Sequence, residues 1–233
     1  MVAAVTRATQ TLLLAVTGAV LVRMASGDSY LRYVNSWMRW PLIVCGVFLI
    51  VLALADLWRE QGSQDYDHDA HVPRAAWLLF APSLVFFLIA PPALGAHFAE
   101  RAQNAVVPIK EAGEVALPPL PEGDTVPLTL DDVLFRAAYD DGATLAERRL
   151  ELTGFVSRDK DGTWYVTQFG MNCCAADATV MRVAATGVEP PADDQWVRVV
   201  ATHVPGTGDG GVDSPEVVVE ELELIEAPRN QYR

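Results

Sequence analysis

A long apolar run at residues 41–57 constrains this chain more than any other feature. The run, PLIVCGVFLIVLALADL, has one charged residue, Asp56, close to its end. Trp37 and Trp40 precede it and Trp58 follows it, and tryptophans at both edges are typical of the two interfaces of a bilayer. The run has nearly the length of a membrane-spanning helix. It therefore predicts a transmembrane span with Asp56 at the membrane boundary.

A second apolar stretch, near residues 8–24, precedes this span. It is slightly short for a full span, and the aliphatic stem of Arg23 can lengthen it. The same stretch also fits a signal peptide, since its charged start and apolar centre are followed by the small residues 25–27. The sequence leaves both interpretations open, a first membrane span or a cleaved signal peptide.

A third span is predicted near residues 75–96. It contains Pro82, which predicts a kink, and Pro91 and Pro92, which end the helix at the interface, because proline removes a helical hydrogen bond. Residues 1–100 are thus expected to form a membrane region of three helices.

The loop between the second and third predicted spans is a weak candidate for a metal site. His68 and His71 stand there among three aspartates. Imidazole and carboxylate together can hold a divalent cation. A short solvated acidic loop would have the same composition, so both interpretations stay open.

The charge is concentrated in the second half of the chain. Residues 1–100 carry six Lys/Arg and seven Asp/Glu, a formal charge of −1, and residues 101–233 carry eleven and twenty-three, a formal charge of −12. An acidic half argues against nucleic acid as a partner. The Lys/Arg residues that flank the three spans number five on one side and three on the other. This difference favours a cytoplasmic soluble domain in a multi-pass protein of the cell membrane.

The remaining chain is predicted to be a tether and a small β domain. Five prolines make residues 101–127 an extended tether. Thr129 can cap a helix whose apolar stripe includes Leu130 and Val133. Five strands follow before a tail at 229–233, near residues 149–158, 163–169, 179–185, 195–204 and 216–226. Five short strands after one helix favour, for residues 128–228, an OB-like five-stranded barrel, the oligonucleotide/oligosaccharide-binding type.

Two adjacent cysteines in the middle of this domain are the strongest candidate site. Cys173 and Cys174 are followed three residues later by Asp177. Thiolates are the ligands that soft cations prefer, so these three residues could bind a soft metal. The alternative is that the cysteines are buried, since cysteine is among the most buried residue types. With Cys45 the chain has three cysteines, which is no disulfide framework.

The sequence contains no arrangement typical of an enzyme. A pairing of Cys173 with His203 has no support from the sequence, and the glycine-rich stretch at 206–211 lacks the Lys-Ser/Thr of a phosphate loop. Nothing places a base beside a nucleophile. The chain is expected to be neither an enzyme nor a cofactor protein.

Several segments resemble one known family. They are PPALGA at 91–96, RRLELTGFV at 148–156, GTWYVTQF at 162–169 and, most specifically, CCAADA at 173–178. This order is similar to that of the YcgQ-like family of predicted permease subunits, which join membrane spans to a C-terminal domain of unknown function. The resemblance implies a partner, a polytopic predicted permease of the family that includes organoarsenical exporters.

Two functions are therefore expected. The first is an integral membrane accessory subunit of a two-component permease, which senses or gates for a soft metal or metalloid through the vicinal cysteines. The second is a membrane-tethered, OB-like protein-binding module in which the cysteines are structural.

Overall fold

A computed structural model of the protein describes residues 7–60, 93–101, 117–208 and 213–233. The chain divides into two compact units, Met1–Pro92 and Ala93–Arg233. Most of the predicted third span and most of the tether lie outside the described residues. His68 and His71 also lie outside them.

In the first unit, the described residues form two long helices, α1 at Arg7–Ser26 and α2 at Arg39–Glu60. Two short 3₁₀ turns at Ser29–Arg32 and Ser36–Met38 connect them. Among the described residues, one helical segment, Ser36–Trp58, is long and apolar enough to cross a membrane. The apolar part of α1, Gln10–Ser26, is shorter than a full span. The second predicted span is thus a helix of suitable length, and the three-span arrangement stays a prediction.

The two helices pack through their backbones. A Cβ atom on Gly18 would lie 2.6 Å from the carbonyl oxygen of Gly46, and one on Gly46 would lie 2.8 Å from that of Gly18. Small residues of this kind let apolar helices approach closely where the hydrophobic effect provides no force between them. The Thr11 hydroxyl also donates a 2.6 Å hydrogen bond to Asp56. Asp56, expected only at the membrane boundary, therefore also joins the two helices.

The outer surface of α2 is strongly apolar. Its exposed side chains, with those of the turn before it, include Trp37, Trp40, Val44, Val47, Phe48, Val51, Leu52, Leu54, Leu57 and Trp58. Soluble proteins rarely expose so many adjacent large apolar side chains. This surface is suited to contact with lipid or with other membrane helices.

Replacing Gly18 should loosen the helix pair. In Gly18→Leu the new side chain meets the Gly46 carbonyl, so the helices must separate, and overpacking of this kind costs about 1 to 3 kcal/mol. Gly27→Ala is the control, because its added Cβ meets no atom within 4 Å. Thermal melting of the helical circular dichroism signal in detergent measures the effect. Equal melting of the two variants would contradict the backbone contact.

The second unit is mostly β structure. It begins with a single helical turn, α3 at Ala96–Ala99, and has one longer helix, α4 at Leu130–Asp140. The part of this unit that the structure describes has six strands: β1 at Thr125–Pro127, β2 at Arg149–Arg158, β3 at Trp164–Gly170, β4 at Thr179–Thr186, β5 at Trp196–His203 and β6 at Glu216–Leu224. The predicted helix and all five predicted strands are present. The sixth strand, β1, falls at the end of the predicted tether.

The strands form one sheet in the order β1-β2-β3-β4-β6-β5, and β5 also pairs with β2. The β1–β2 and β4–β6 pairs are parallel, and the other pairs are antiparallel. The mostly-β domain with an N-terminal helix is confirmed, whereas the expected five-stranded barrel is described as a six-stranded sheet. The difference arises because β2 is long. Its first residues pair with β1 and its last residues with β3.

Gly154 lies in the middle of β2. A Cβ atom there would lie 2.6 Å from the carbonyl oxygen of Thr167 in the neighbouring strand. The position therefore requires glycine because another backbone approaches it closely.

The main core of this unit lies between α4 and the sheet. Thr129 caps α4 as predicted, since its hydroxyl accepts a 3.0 Å hydrogen bond from the backbone N–H of Asp132. The predicted apolar stripe is buried at Leu130, Val133, Leu134 and Ala137. Helix capping and the apolar stripe together place α4 on the sheet.

A second, smaller core holds residues 93–99, which overlap the end of the predicted third span. It comprises Ala96, Ala99, Phe155, Phe169, Met171, Val180, Trp196 and Tyr232. The Leu94 backbone N–H donates a 2.9 Å hydrogen bond to the Tyr232 hydroxyl. The rings of Phe98 and Phe169 meet edge to face, with centroids 5.7 Å apart. Residues 93–99 therefore pack onto the β domain.

Candidate metal centre

The cysteine pair lies in the loop that connects β3 to β4. These strands are antiparallel neighbours, and their last pair is Gly170 with Thr179. The loop is thus residues 171–178, and it contains a 3₁₀ turn at Ala175–Asp177. All three predicted ligands fall within this single connection.

The carboxylate of Asp177 organises the loop. It accepts backbone hydrogen bonds from Asn172 at 3.2 Å, Cys173 at 2.8 Å and Cys174 at 3.3 Å. In return, the Asp177 backbone N–H donates to the carbonyl oxygen of Cys174 at 2.9 Å and also faces its sulfur. A carboxylate in such a position stabilises N–H groups that have no partner in a helix or strand.

The loop brings the three predicted ligand atoms together. The Sγ atoms of Cys173 and Cys174 are 3.7 Å apart, which is far longer than a disulfide bond of about 2.05 Å. With a carboxylate oxygen of Asp177 they form a group in which all atoms lie within 4.8 Å of one another. Both cysteines are free and partly exposed. The thiols are therefore reachable from solvent.

The Asp177 carboxylate also affects the pKa of the neighbouring Cys173 thiol. Hydrogen bonding to Asp177, followed by the interaction with Cys174, raises the pKa of the Cys173 thiol to about 12. The same hydrogen bond holds the pKa of Asp177 below its ordinary value. At neutral pH, Cys173 is therefore protonated beside an ionised carboxylate.

A cavity of about 470 Å³ adjoins the loop. Asp177 and Asn172 line it from the loop, and Met171 and Met181 contribute two thioether side chains. The cavity leaves room beside the ligand group for water or for a further ligand.

The other residues considered from the sequence lie apart from this group. A Cβ atom on Gly142 would clash with the ring of His203, which also contacts the Thr207 carbonyl at 3.4 Å. Its burial lowers the pKa of His203. His203 is not in the group of ligand atoms that the described residues assemble around Cys173. Cys45 is an exposed residue of α2.

Sequence reasoning missed the support of the loop by the C-terminal tail. The Met171 backbone N–H donates to the Arg233 carbonyl at 2.6 Å, and the Arg233 N–H donates to the Phe169 carbonyl at 3.0 Å. Tyr232 is buried beside them. A tail of five residues carries no periodic signal, and the isolated aromatic residue Tyr232 was the only indication of burial.

Comparison with known proteins gives one result. The family model of the DUF1980 C-terminal domain matches residues 134–233, which include the cysteine loop. This match agrees with the resemblance to the YcgQ-like family over the C-terminal domain. No curated protein matches the chain, and no solved structure does.

Asp177→Asn should make Cys173 more reactive. Removal of the negative charge lets the pKa of Cys173 fall toward its ordinary value, which increases the thiolate fraction at mildly alkaline pH. Because a more acidic thiolate is also a weaker nucleophile, we expect a rate increase of about tenfold or more rather than the full change in thiolate fraction. Residue-resolved mass spectrometry after alkylation measures it.

Asp193→Asn provides the control for this experiment. Asp193 is an exposed carboxylate outside the loop, and it pairs with Arg158. Its replacement should leave the alkylation rate of Cys173 unchanged. Equal alkylation rates of Cys173 in the wild type and in Asp177→Asn would show that the Asp177 carboxylate does not raise the pKa of this thiol.

Proposed function

We propose that this chain is an integral membrane accessory subunit of a two-component permease, whose soluble domain binds a soft metal or metalloid ion through Cys173, Cys174 and Asp177. The observation that carries the proposal is the convergence of these three ligand atoms within 4.8 Å in one loop. Thiolates supply the affinity for a thiophilic ion. The proposal assigns ion binding to the site rather than catalysis.

The loop is suited to reversible binding. Asp177 is held by three backbone N–H groups before any ion arrives, so little conformational entropy is lost when it becomes a ligand. The thiols are partly exposed, and an ion can reach them without unfolding of the domain. Binding releases a proton from a thiol, as metal–thiolate formation generally does.

The packing around the loop supports a sensing or gating role. From the ligands, the chain runs back through Met171, whose N–H is bonded to the C-terminal tail. In that tail, Tyr232 accepts the hydrogen bond from Leu94, which lies at the end of the predicted third span, just after Pro91 and Pro92. An ion that tightens the loop would therefore act on the segment that leaves the membrane region.

The fold, the partner and the location complete the proposal. The additional pairing of β5 with β2 links the strands β2 to β6 in a closed circuit, and this supports an OB-like barrel. The partner that we propose is a polytopic permease of the organoarsenical-exporter type, on the basis of the family resemblance. We propose a multi-pass protein of the cell membrane with its soluble domain in the cytoplasm.

One alternative is favoured by the same loop. Three backbone hydrogen bonds already satisfy Asp177 when no ion is bound, so the loop can be stable without metal. The chain would then be a membrane-tethered, OB-like protein-binding module with structural cysteines. Under this alternative no ion binds, and Cys173→Ser changes stability little, because the partly exposed hydroxyl can donate to Asp177 or to water.

Replacing both loop cysteines should abolish ion binding. The full chain in detergent is dialysed against Zn²⁺, Cu⁺ or arsenite, and the bound ion is measured by elemental analysis. We expect a single ion per wild-type chain and none in Cys173→Ser/Cys174→Ser, because the thiolates provide two of the three ligands. Cys45→Ser is the control, since Cys45 lies in α2.

Two outcomes separate the parts of the proposal. A folded wild-type chain that binds none of these ions would favour the structural alternative. Failure of the chain to co-purify with the permease would remove the accessory-subunit role and leave the ion site intact.

Tyr232→Phe should uncouple the juxtamembrane segment from the loop. Hydrogen exchange of the full chain is measured by mass spectrometry with and without the bound ion. In the wild type we expect the ion to slow exchange in the loop and at residues 94–99. In Tyr232→Phe the ion should no longer slow exchange at residues 94–99, because the Leu94 N–H has lost its acceptor.

Tyr165→Phe is the matched control for this measurement. Its hydroxyl donates to Asp159 at 2.9 Å and has no part in the tail. If the ion slows hydrogen exchange only in the loop of the wild type, the tail does not couple the loop to residues 94–99.

A further inference from the structure

The spacing of the ligand atoms points to the class of ion. Resting on the proposed function, we infer that the site takes a divalent cation of the Zn²⁺ class, held by Cys173 Sγ, Cys174 Sγ and one oxygen of Asp177, with a fourth position left open for exchange.

The two sulfurs already have the separation of a tetrahedral site. A Zn–S bond of about 2.3 Å at the tetrahedral angle gives an S···S edge of about 3.8 Å, and the two Sγ atoms are 3.7 Å apart. An ion with this geometry can therefore bridge Cys173 and Cys174 without any change in their separation.

The carboxylate has one acceptor position that no backbone N–H group uses. An ionised carboxylate offers about four lone-pair sites, and backbone N–H groups of residues 172, 173 and 174 occupy three at Asp177. In the ion-free loop the Cys173 thiol donates to this fourth site. Metal binding releases the thiol proton, and the site is then free for monodentate coordination. An ideal S···O edge is about 3.6 Å, and the ligand atoms are at most 4.8 Å apart, so a contraction of at most about 1.2 Å completes the set.

The mixture of donors separates this class of ion from its competitors. Cu⁺ is selected by soft sulfur ligands, and Mg²⁺ and Ca²⁺ by oxygen ligands. Zn²⁺ is of borderline softness and accepts both thiolate and carboxylate. Two sulfurs and one oxygen in a single loop therefore favour Zn²⁺ over an ion that uses sulfur alone, and Asp177 determines this preference.

The number of ligands distinguishes an exchange site from a structural one. Structural Zn²⁺ sites use four protein ligands, whereas three protein ligands leave a position for water or an incoming group. Among the residues that the structure describes, the group of metal-binding side chains contains these three. The cavity of about 470 Å³ that Asp177 lines provides space next to one of the three ligands. An ion in such a site can be passed to another ligand.

Cobalt substitution tests this inference on the full chain in detergent. Co²⁺ replaces Zn²⁺ in tetrahedral sites and reports coordination through its visible absorption. We expect intense bands of a four-coordinate site with thiolate ligands, which added Zn²⁺ removes. Weak absorption of a six-coordinate Co²⁺ would overturn the geometry, and this readout on the wild type needs no variant.

Ion preference provides the second test. In Asp177→Asn we expect at least tenfold weaker Zn²⁺ binding and little change for arsenite, because arsenite uses the sulfurs alone. Asp193→Asn should behave as the wild type, and tryptophan fluorescence verifies folding of each variant. Tighter binding of arsenite or Cu⁺ than of Zn²⁺, unaffected by Asp177→Asn, would overturn the inference and leave the proposed function standing. Binding of none of these ions would overturn both.

Discussion

The hydrogen bonds that converge on Asp177 are the interaction on which the site depends. Three consecutive backbone N–H groups point at one carboxylate, and this fixes the path of the loop between β3 and β4. The backbone of this loop carries both cysteines, so its path determines the distance between the two thiols. The same negative charge raises the pKa of Cys173. One acidic side chain therefore determines the shape of the loop, the protonation of a thiol and the hard ligand of the candidate centre.

Local sequence patterns predicted the parts of the fold that depend on local physics. The cap at Thr129 and the apolar stripe of α4 are visible within a few residues, and the alternating pattern of the β2–β3 hairpin is equally local. The candidate site was predictable for the same reason. Cys173, Cys174 and Asp177 are neighbours in sequence, and a tight loop between paired strands keeps them neighbours in space.

Contacts between distant segments were not predictable from the sequence. The pairing of β1 with β2 uses only three residues of a proline-rich segment, and proline there gives no strand signal. The hydrogen bond from Leu94 to Tyr232 joins residues 138 positions apart, and the apolar character of residues 93–99 fits a membrane helix equally well. The Gly18–Gly46 contact was missed because glycines in apolar runs have no periodic pattern of their own.

That glycine contact has a mechanical consequence. At Gly18 and Gly46 the two backbones come close and the side chains of Ile50 and Val22 lie against the glycines, so little space is left to absorb a displacement. Sliding of one helix would force a larger neighbouring residue against a carbonyl group, and the Thr11–Asp56 hydrogen bond would break as well. The two helices should therefore move together as one rigid unit. A displacement imposed on one end of the pair then displaces the other end as well.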